Sequence, residues 1–302
     1  MIDIEKEYKK TNIVLRNNKN SLYNVSILGK AHANIRYGIY NYFEEFDTYY
    51  DIVKYIYDSI ESYELEPAFP VGISINNQAA HYTYNEDMKR SVNLNDLITI
   101  DFGIQRYGHI VDCAFSYSKN YEYNRLCDCS LECLNTVYDN IGVDMKVCDI
   151  GEMVNEVISS YGYYGVKGVM GHSIGEWDIH SGILIPCYNN GDESKIKDNS
   201  NYALEFFVCD REPNEEIDEK HKTHFRLNKK NMFLWDEYCF DKFYKYKTLP
   251  FPCFDNSWKP GFKNGSIISY PGIRCDGPVA QYEHTIGIYN GKKYNFTKGD
   301  DY

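Results

Sequence analysis

The sequence contains no apolar run of 18 residues, so no segment is long enough to cross a bilayer as a helix. It opens MIDIEKEYKK, without the charged and apolar regions of a secretory signal, which predicts a cytoplasmic protein with no membrane partner. The ten cysteines include no Cys-x-x-Cys pair and form no recognisable framework, so we expect reduced thiols. Short-period repeats and low-complexity stretches are also absent, which excludes a repeat architecture.

A basic surface is missing as well. Asp and Glu number 44 against 32 Lys and Arg, and the formal net charge is −12. No stripe of basic residues interrupts this acidity, so we expect no nucleic-acid partner. Hydrophobic residues make up 43% of the 302 residues, enough for a sizeable core in one large domain or two ordinary ones. These bulk properties fit a globular enzyme and indicate nothing finer.

The most informative stretch is residues 101–115, DFGIQRYGHIVDCAF, in which two acids stand within apolar, β-forming runs. Two such runs around a short glycine-containing loop predict a β-hairpin. If the hairpin turns between Arg106 and Tyr107, Asp101 and Asp112 lie opposite each other on one face. Two buried like charges this close are unfavourable unless a cation lies between them. The hairpin therefore predicts a positively charged partner for the pair.

Helical periodicity surrounds the hairpin. Four helices are predicted from the patterns, over residues 21–44, 48–63, 121–140 and 147–162. His32 falls on the apolar side of the first helix, where we expect a core histidine. Residues 210–260 change in character, with a charged part, an aromatic helical part and several prolines. This change predicts an inserted subdomain.

Three further ionisable residues lie, like the two hairpin acids, within apolar β-forming runs, and their side chains can bind metal. With the two aspartates they make a set of five: Asp101, Asp112, His172, Glu205 and Glu283. Taken singly, each glutamate also fits a paired or edge acid, and the histidine fits a hydrogen-bonded core residue. Taken together, four carboxylates and one imidazole suit two divalent ions such as Co, Mn, Fe or Zn. A metallohydrolase is therefore one function that the set allows.

Seven short motifs connect these positions: AAHY, DFG, IVDCAF, GHSIG, IHSG, ALEF and QYEHT. In this order and spacing the chain resembles the methionine aminopeptidases, specifically type 2, from about residue 21 to residue 302. The closing residues GDDY resemble the ending of that type, and 210–270 lies where its members carry a helical insertion. The resemblance implies a single catalytic domain, residues 1–302, with the α+β pita-bread fold. That fold has two pseudo-symmetric halves, a curved antiparallel sheet and outer helices.

The resemblance also implies a role for each site residue. The five residues above would bind two divalent metal ions, with Asp112 and Glu283 bridging them. Glu205 would also move a proton towards the leaving amine, and His81 and His180 would be non-ligand catalytic residues that contact the substrate. The methionine side chain would bind in an apolar pocket formed, by motif position, from Phe69, Ile179, His224, Tyr270 and Ile273.

The implied function is removal of the initiator methionine from the N-terminus of nascent polypeptides, with a preference for a small second residue. The family is mostly monomeric, so we expect a monomer. We expect no basic or zinc-binding N-terminal extension, so any contact with the ribosome would be transient and use another surface. Residues 176–178 (EWD) and 206–208 (FFV) depart from the family pattern. Both lie near the expected cleft and bear on the preference for the second residue.

Two alternatives stay open. Xaa-Pro aminopeptidases of the same fold use the same five ligands, but AAHY and the insertion at 210–270 favour the methionine type. The second alternative is a non-catalytic pita-bread protein that binds RNA or other proteins. The presence of all five ligands and the net charge of −12 disfavour it.

Overall fold

A computed structural model of the protein describes residues 21–88, 90–228, 230–231 and 242–302. Five α-helices lie wholly within these residues: α1 (Ser21–Tyr42), α2 (Tyr49–Ser62), α3 (Asn124–Asn140), α4 (Val147–Tyr161) and α5 (Lys259–Asn264). The first four confirm the helices predicted from periodicity. In the described part of the chain, no helix combines the length and apolar character needed to cross a membrane.

The strands of the described residues pair only in antiparallel fashion. They are β1 (Glu66–Pro67), β2 (Gly72–Ile75), β3 (Gln78–Ala80), β4 (Ile98–Arg106), β5 (His109–Tyr117), β6 (Tyr164–Gly165), β7 (Gly171–Ile174), β8 (Leu184–Ile185), β9 (Ser200–Cys209), β10 (Glu216–Leu227), β11 (Phe251–Pro252), β12 (Ile267–Arg274), β13 (Val279–Tyr289) and β14 (Lys292–Asn295). One sheet has β4 at its centre, between β5 and the short strands β1 and β2. A second runs in the order β14, β13, β9, β7 and β8, with β6 also on β9.

The buried stripe of α1 carries the predicted core histidine. His32 is fully buried, its Nε2 lies 2.7 Å from the carbonyl oxygen of Phe102, and its ring stacks on that phenyl ring. The expected core role is therefore confirmed. At the start of α2 the side chain of Thr48 accepts from the N–H of Asp51, and the Asp51 carboxylate accepts from the N–H of Thr48. This reciprocal cap begins the helix at the predicted place.

The hairpin of β4 and β5 turns one residue later than predicted. Arg106 pairs with His109, so Tyr107 and Gly108 form a two-residue loop, with φ of 54° and 86°. A tight hairpin turn of this kind requires positive φ at both central residues, and glycine adopts such angles without steric cost. Centring the turn on Arg106 and Tyr107 would leave Gly108 in the strand, where that freedom has no use.

The later turn moves the pairing register by two residues. Asp101 pairs with Ala114, and Asp112 pairs with Gly103. The prediction that the two aspartates lie directly opposite each other is therefore wrong. Because the shift is an even number, both side chains still point to the same face, as diagonal neighbours.

Strands β5 and β13 lie side by side and are joined through hydroxyl groups. The Thr285 hydroxyl accepts from the N–H of Asp112 at 2.7 Å and donates to its carbonyl oxygen at 2.6 Å. Farther along, the Ser116 hydroxyl accepts from the N–H of Gln281 at 2.9 Å and lies 3.1 Å from its carbonyl oxygen. These bridges connect the two sheets edge to edge. The main hydrophobic core fills the space between the joined sheets and helices α1 to α4.

The region 210–270 contributes a third sheet, in which β10 pairs with both β11 and β12. It has a small core of its own, formed by Phe225, Leu227, Phe243, Phe251, Cys253 and Ile267. Strands contribute more residues than helices to the described part of this region, which was expected to be helical, and α5 is its one complete α-helix there. The predicted aromatic helix falls largely on residues 232–241, outside the described residues. The boundaries of an inserted subdomain stay a prediction.

Candidate metal centre

The five predicted ligands lie on five strands that follow one another across the joined sheets. In the order β4, β5, β13, β9 and β7 they are Asp101, Asp112, Glu283, Glu205 and His172. The strand registers put all five on one face. Glu283 pairs directly with Glu205, and His172 pairs with Ala203, two residues before Glu205. Since side chains alternate along a strand, residues separated by two share a face.

Three of these side chains approach one another most closely. Ligand atoms of Asp112, His172 and Glu283 all lie within 4.8 Å of one another, and all three residues are buried. His172 Nε2 is 3.7 Å from Asp112 Oδ2 and 3.7 Å from Glu205 Oε1. An ion with ligands at about 2.1 Å holds its ligand atoms roughly 3–4 Å apart. Small side-chain rotations would therefore let these groups share an ion.

Unpaired buried atoms support this interpretation. Asp101 Oδ1, Asp112 Oδ1 and Glu283 Oε1 are buried and have no hydrogen-bond partner among the described residues. Buried polar atoms in folded proteins nearly always have a partner, so three orphaned carboxylate oxygens on one face need a group to coordinate. A set of oxygen donors with one imidazole fits divalent metal ions.

The electrostatics point the same way. Burial raises the pKa of Asp101 to about 7. Burial, and then the charge of Asp101, raises the pKa of Asp112 well above its usual range. Burial and the neighbouring aspartates likewise raise the pKa of Glu205 and of Glu283. Without a cation the ionised forms of these four groups are disfavoured, and bound divalent ions would favour them.

The imidazole of His172 is in the form that a ligand requires. Burial and the nearby His180 hold its pKa well below the usual value, so the ring is neutral. The two rings meet edge to face, with centroids 4.3 Å apart. Gly171 permits the close approach of β7 to β9, because a Cβ there would lie 2.7 Å from the carbonyl oxygen of Ala203.

Gln281 belongs to the site and was not predicted. Its Nε2 donates to Glu205 Oε2 at 2.9 Å and lies 3.5 Å from Glu283 Oε2. The residue stands two positions before Glu283 on the same buried strand, and that spacing is the signal that could have identified it. Its amide orients the two paired glutamates.

The non-ligand histidines stand at the open side of the cluster. His180 is exposed, and its ring centroid is 5.8 Å from that of Tyr270. His81 adopts a φ of 67°, and its Nδ1 lies 3.0 Å from the carbonyl oxygen of Pro271. The ring of Tyr270 is also 5.5 Å from that of His81, so the tyrosine stands between the two histidines. Burial lowers the pKa of His81.

A cavity of about 310 Å³ adjoins the cluster. Of the predicted pocket residues, Phe69, Ile179, His224 and Tyr270 line it. Ile273 is not among the lining residues; it pairs with Ala80 and packs on a separate apolar cluster. Phe207, from the FFV segment expected near the cleft, also lines the cavity, and the wall residues that the sequence did not indicate are Gly72, Gly168, Val169, Met170, Leu184 and Pro250. They come from separate elements, and only folding brings them together.

Comparison with known proteins identifies the family. The model of metallopeptidase family M24 matches residues 24–288. The chain belongs to this family. It is 33% identical to methionine aminopeptidase 2 of Encephalitozoon hellem and to that of Encephalitozoon intestinalis, over 90% of this chain and 86% of each relative. The resemblance to type 2 methionine aminopeptidases is thereby confirmed.

Solved structures confirm the fold of this M24 chain. A methionine aminopeptidase from Thermotoga maritima matches with a TM-score of 0.69 at 16% identity, over 93% of this chain and 98% of that one. A thermophilic Arx1 matches with a TM-score of 0.74 at 14% identity, over 91% of both chains. The prolidase from Pyrococcus furiosus matches with a TM-score of 0.59 at 15% identity, over 93% of this chain and 64% of that one. The architecture is therefore the α+β pita-bread fold with a curled antiparallel sheet. The division into two pseudo-symmetric halves stays a prediction.

Proposed function

We propose that this M24 peptidase removes the N-terminal methionine from nascent polypeptides and prefers a small second residue. The observation that carries the proposal is the convergence of five metal-capable side chains, one from each of five neighbouring strands, beside an apolar cavity. The similarity to methionine aminopeptidases 2 supports the substrate class.

The five side chains would hold the metal, and their donor set fits two divalent ions such as Co, Mn, Fe or Zn. Bound there, such ions lower the pKa of water from about 16 towards about 7 and so supply hydroxide at neutral pH. Asp112 and Glu283, buried on adjacent strands, would be among the residues that hold the ions. Glu205 keeps a partly exposed side chain at the cavity, where its carboxylate can take a proton and pass it to the leaving amine.

The two non-ligand histidines would contact the scissile peptide. His180 is exposed beside the His172 ring, so its own ring can hydrogen-bond the substrate carbonyl or the following amide. His81 is held at its Nδ1 by the carbonyl of Pro271, which leaves the other ring nitrogen for the leaving-group side.

The cavity would accept the methionine side chain. A hydrophobic pocket separates side chains that differ by one methylene by only about 1–3 kcal/mol. Exclusion of charged side chains must come from desolvation. His224 supports this, because burial, and then the nearby His81, lower its pKa to about 3 and keep the wall neutral.

The decisive experiment is a peptide assay on Mn(II)-loaded protein. We expect methionine release from Met-Ala-Ser, much slower release from Met-Lys-Ser, and none from Ala-Pro-Ser. Asp112→Asn should abolish release, while the exposed, matched Asp58→Asn should not. Cleavage of Ala-Pro-Ser with no release of methionine would contradict the proposal and favour an Xaa-Pro peptidase. Metal-bound protein that is inert to every peptide would favour a non-catalytic binding protein of the same fold.

The setting follows from the proposed substrate. The enzyme would act in the cytoplasm on polypeptide N-termini as a monomer, without nucleic acid or membrane, and meet the ribosome only transiently. Light scattering coupled to gel filtration tests the monomer, and cosedimentation with ribosomes at low and physiological salt tests the contact.

A further inference from the structure

A buried polar cluster lies directly behind the metal centre and has no place in the proposed reaction. Because side chains alternate along a strand, the residues that follow Asp112 and Glu283 point away from the centre. They are Cys113 and His284, both buried, with Sγ and Nδ1 3.6 Å apart. The wall that carries two of the candidate ligands therefore has a polar rear side.

Tyr302 occupies that rear side and bonds to both strands. Its hydroxyl donates to the carbonyl oxygen of Ala114, on β5, at 2.8 Å. The same hydroxyl lies 3.2 Å from the carbonyl oxygen of Glu283, on β13. The Cys113 thiol donates to that carbonyl oxygen at 2.8 Å. Burial raises the pKa of Tyr302, so the phenol keeps the proton that it donates.

Neighbouring side chains hold the Tyr302 ring in place. The guanidinium of Arg36 lies 4.5 Å from the ring centroid, and the His284 ring stacks on the Tyr302 ring with centroids 4.7 Å apart. Arg36 also pairs with Asp301, donating at 2.8 Å from one of its terminal nitrogens, and donates to Cys113 Sγ at 3.0 Å. Fully bonded buried networks of this kind are rigid.

The rigidity matters because of how β5 and β13 are joined. The hydrogen bonds that join these two strands come from side chains. They are made by the hydroxyls of Thr285 and Ser116, by the Tyr302 hydroxyl and by the Cys113 thiol. Such bridges set the separation of the strands more loosely than a backbone ladder would. A metal site requires distances correct to about 0.2 Å.

We propose that Tyr302 is a positioning residue of the metal centre. By bonding across the two strands it holds Asp112 and Glu283 at the separation that the second metal ion requires. The inference rests on the proposed function, since it takes these two residues as metal ligands.

The test compares Tyr302→Phe with Tyr289→Phe. Tyr289 is a buried tyrosine on β13 whose hydroxyl donates to Asn201 at 2.8 Å and lies 3.3 Å from the Ser21 hydroxyl, so the control also loses a hydrogen-bonded phenol, away from the ligands. Chelator-treated proteins are titrated with Mn(II) by calorimetry, and kcat and KM for Met-Ala-Ser are measured against Mn(II) concentration. We expect Tyr302→Phe to bind the weaker Mn(II) equivalent about tenfold less tightly. Its kcat should fall at low Mn(II) and recover at high Mn(II), with KM and the metal-free Tm close to those of the control.

Three results would overturn the inference: superimposable isotherms for Tyr302→Phe and wild type, an equal loss of Mn(II) affinity in the control, or lower thermal stability with unchanged Mn(II) affinity.

If Tyr302→Phe does not fold, Cys113→Ala and Cys113→Ser replace it. The serine keeps a donor to Glu283, so only the alanine should weaken Mn(II) binding, and equal affinities would contradict the inference. Wild-type protein that binds Mn(II) but releases no methionine would refute the proposed function alone.

Discussion

Replacing Asp101 by asparagine should stabilise the metal-free protein and destabilise the metal-bound one. The pKa of Asp101 is raised from 3.8 to about 7 by burial, so ionising this group in the folded state costs free energy. The sign follows from the direction of the shift. The cost is absent below pH 4, grows as the pH rises towards 7, and is complete above that. Asparagine never carries the charge and avoids the cost.

The magnitude follows from the size of the shift. One pKa unit corresponds to about 1.4 kcal/mol, so a rise from 3.8 to about 7 gives an upper limit of about 4 kcal/mol above pH 7. Asp101 lines an open cavity, where water screens the charge, so we expect about half of that. For a chain of this size, about 2 kcal/mol corresponds to a rise in Tm of roughly 4 °C.

The assay is thermal unfolding followed by circular dichroism between pH 4.5 and 8, with chelator and then with saturating Mn(II). With chelator, the Tm of Asp101→Asn should exceed that of wild type only slightly at pH 4.5 and by the full amount at pH 8. With Mn(II) the order should reverse, because a ligand at 100 times its Kd stabilises the wild type by about 2.7 kcal/mol. Asp58→Asn, an exposed control, should follow wild type throughout. A metal-free Asp101→Asn protein that melts below wild type at pH 8 would refute the electrostatic account.

Three further changes test the surroundings of the site. Gln281→Leu removes an amide that donates to a ligand carboxylate, and should weaken Mn(II) binding about tenfold by calorimetry. Arg36→Met leaves Asp301 buried without its cation, and should lower the free energy of unfolding in urea by about 3–5 kcal/mol. Gly171→Ala places a Cβ 2.7 Å from a carbonyl oxygen of β9 and displaces His172, so Mn(II) affinity and kcat should both fall.

Each of these has a result that contradicts it. An unchanged isotherm for Gln281→Leu would mean that the amide does not orient the glutamates. Urea stability of Arg36→Met equal to wild type would mean that the buried ion pair contributes nothing net. Normal kcat and affinity in Gly171→Ala would mean that β7 tolerates displacement.

The candidate ligands were predictable because the feature that marks them is local in the sequence. Each candidate ligand is an ionisable residue within an apolar β-forming run, and that contrast is visible in sequence. Gln281 was not predicted because burying a neutral amide in an apolar run costs less free energy than burying a charge. Its sequence position indicates a role only when the face of β13 that carries it is known. The motif order, through family resemblance, connected positions that spacing alone would have left separate. Ile273 shows the limit of that route, since its motif was matched across a gap and the structure sets it outside the cavity wall.

The sequence by itself determined the elements of this protein: four helices from periodicity, a hairpin from its glycine turn, and five isolated metal-capable side chains. Tertiary structure decided their geometry. The hairpin loop begins at Tyr107 rather than Arg106, because this places Gly108 where the turn requires a positive φ. That one-residue shift of the turn moves the pairing partner of Asp101 by two residues along β5. The separation of Asp112 from Glu283 depends on hydroxyl and thiol bridges between residues about 170 positions apart. Alternation within a strand is a local property, but the distance between two strands is set by everything packed on both sides of them.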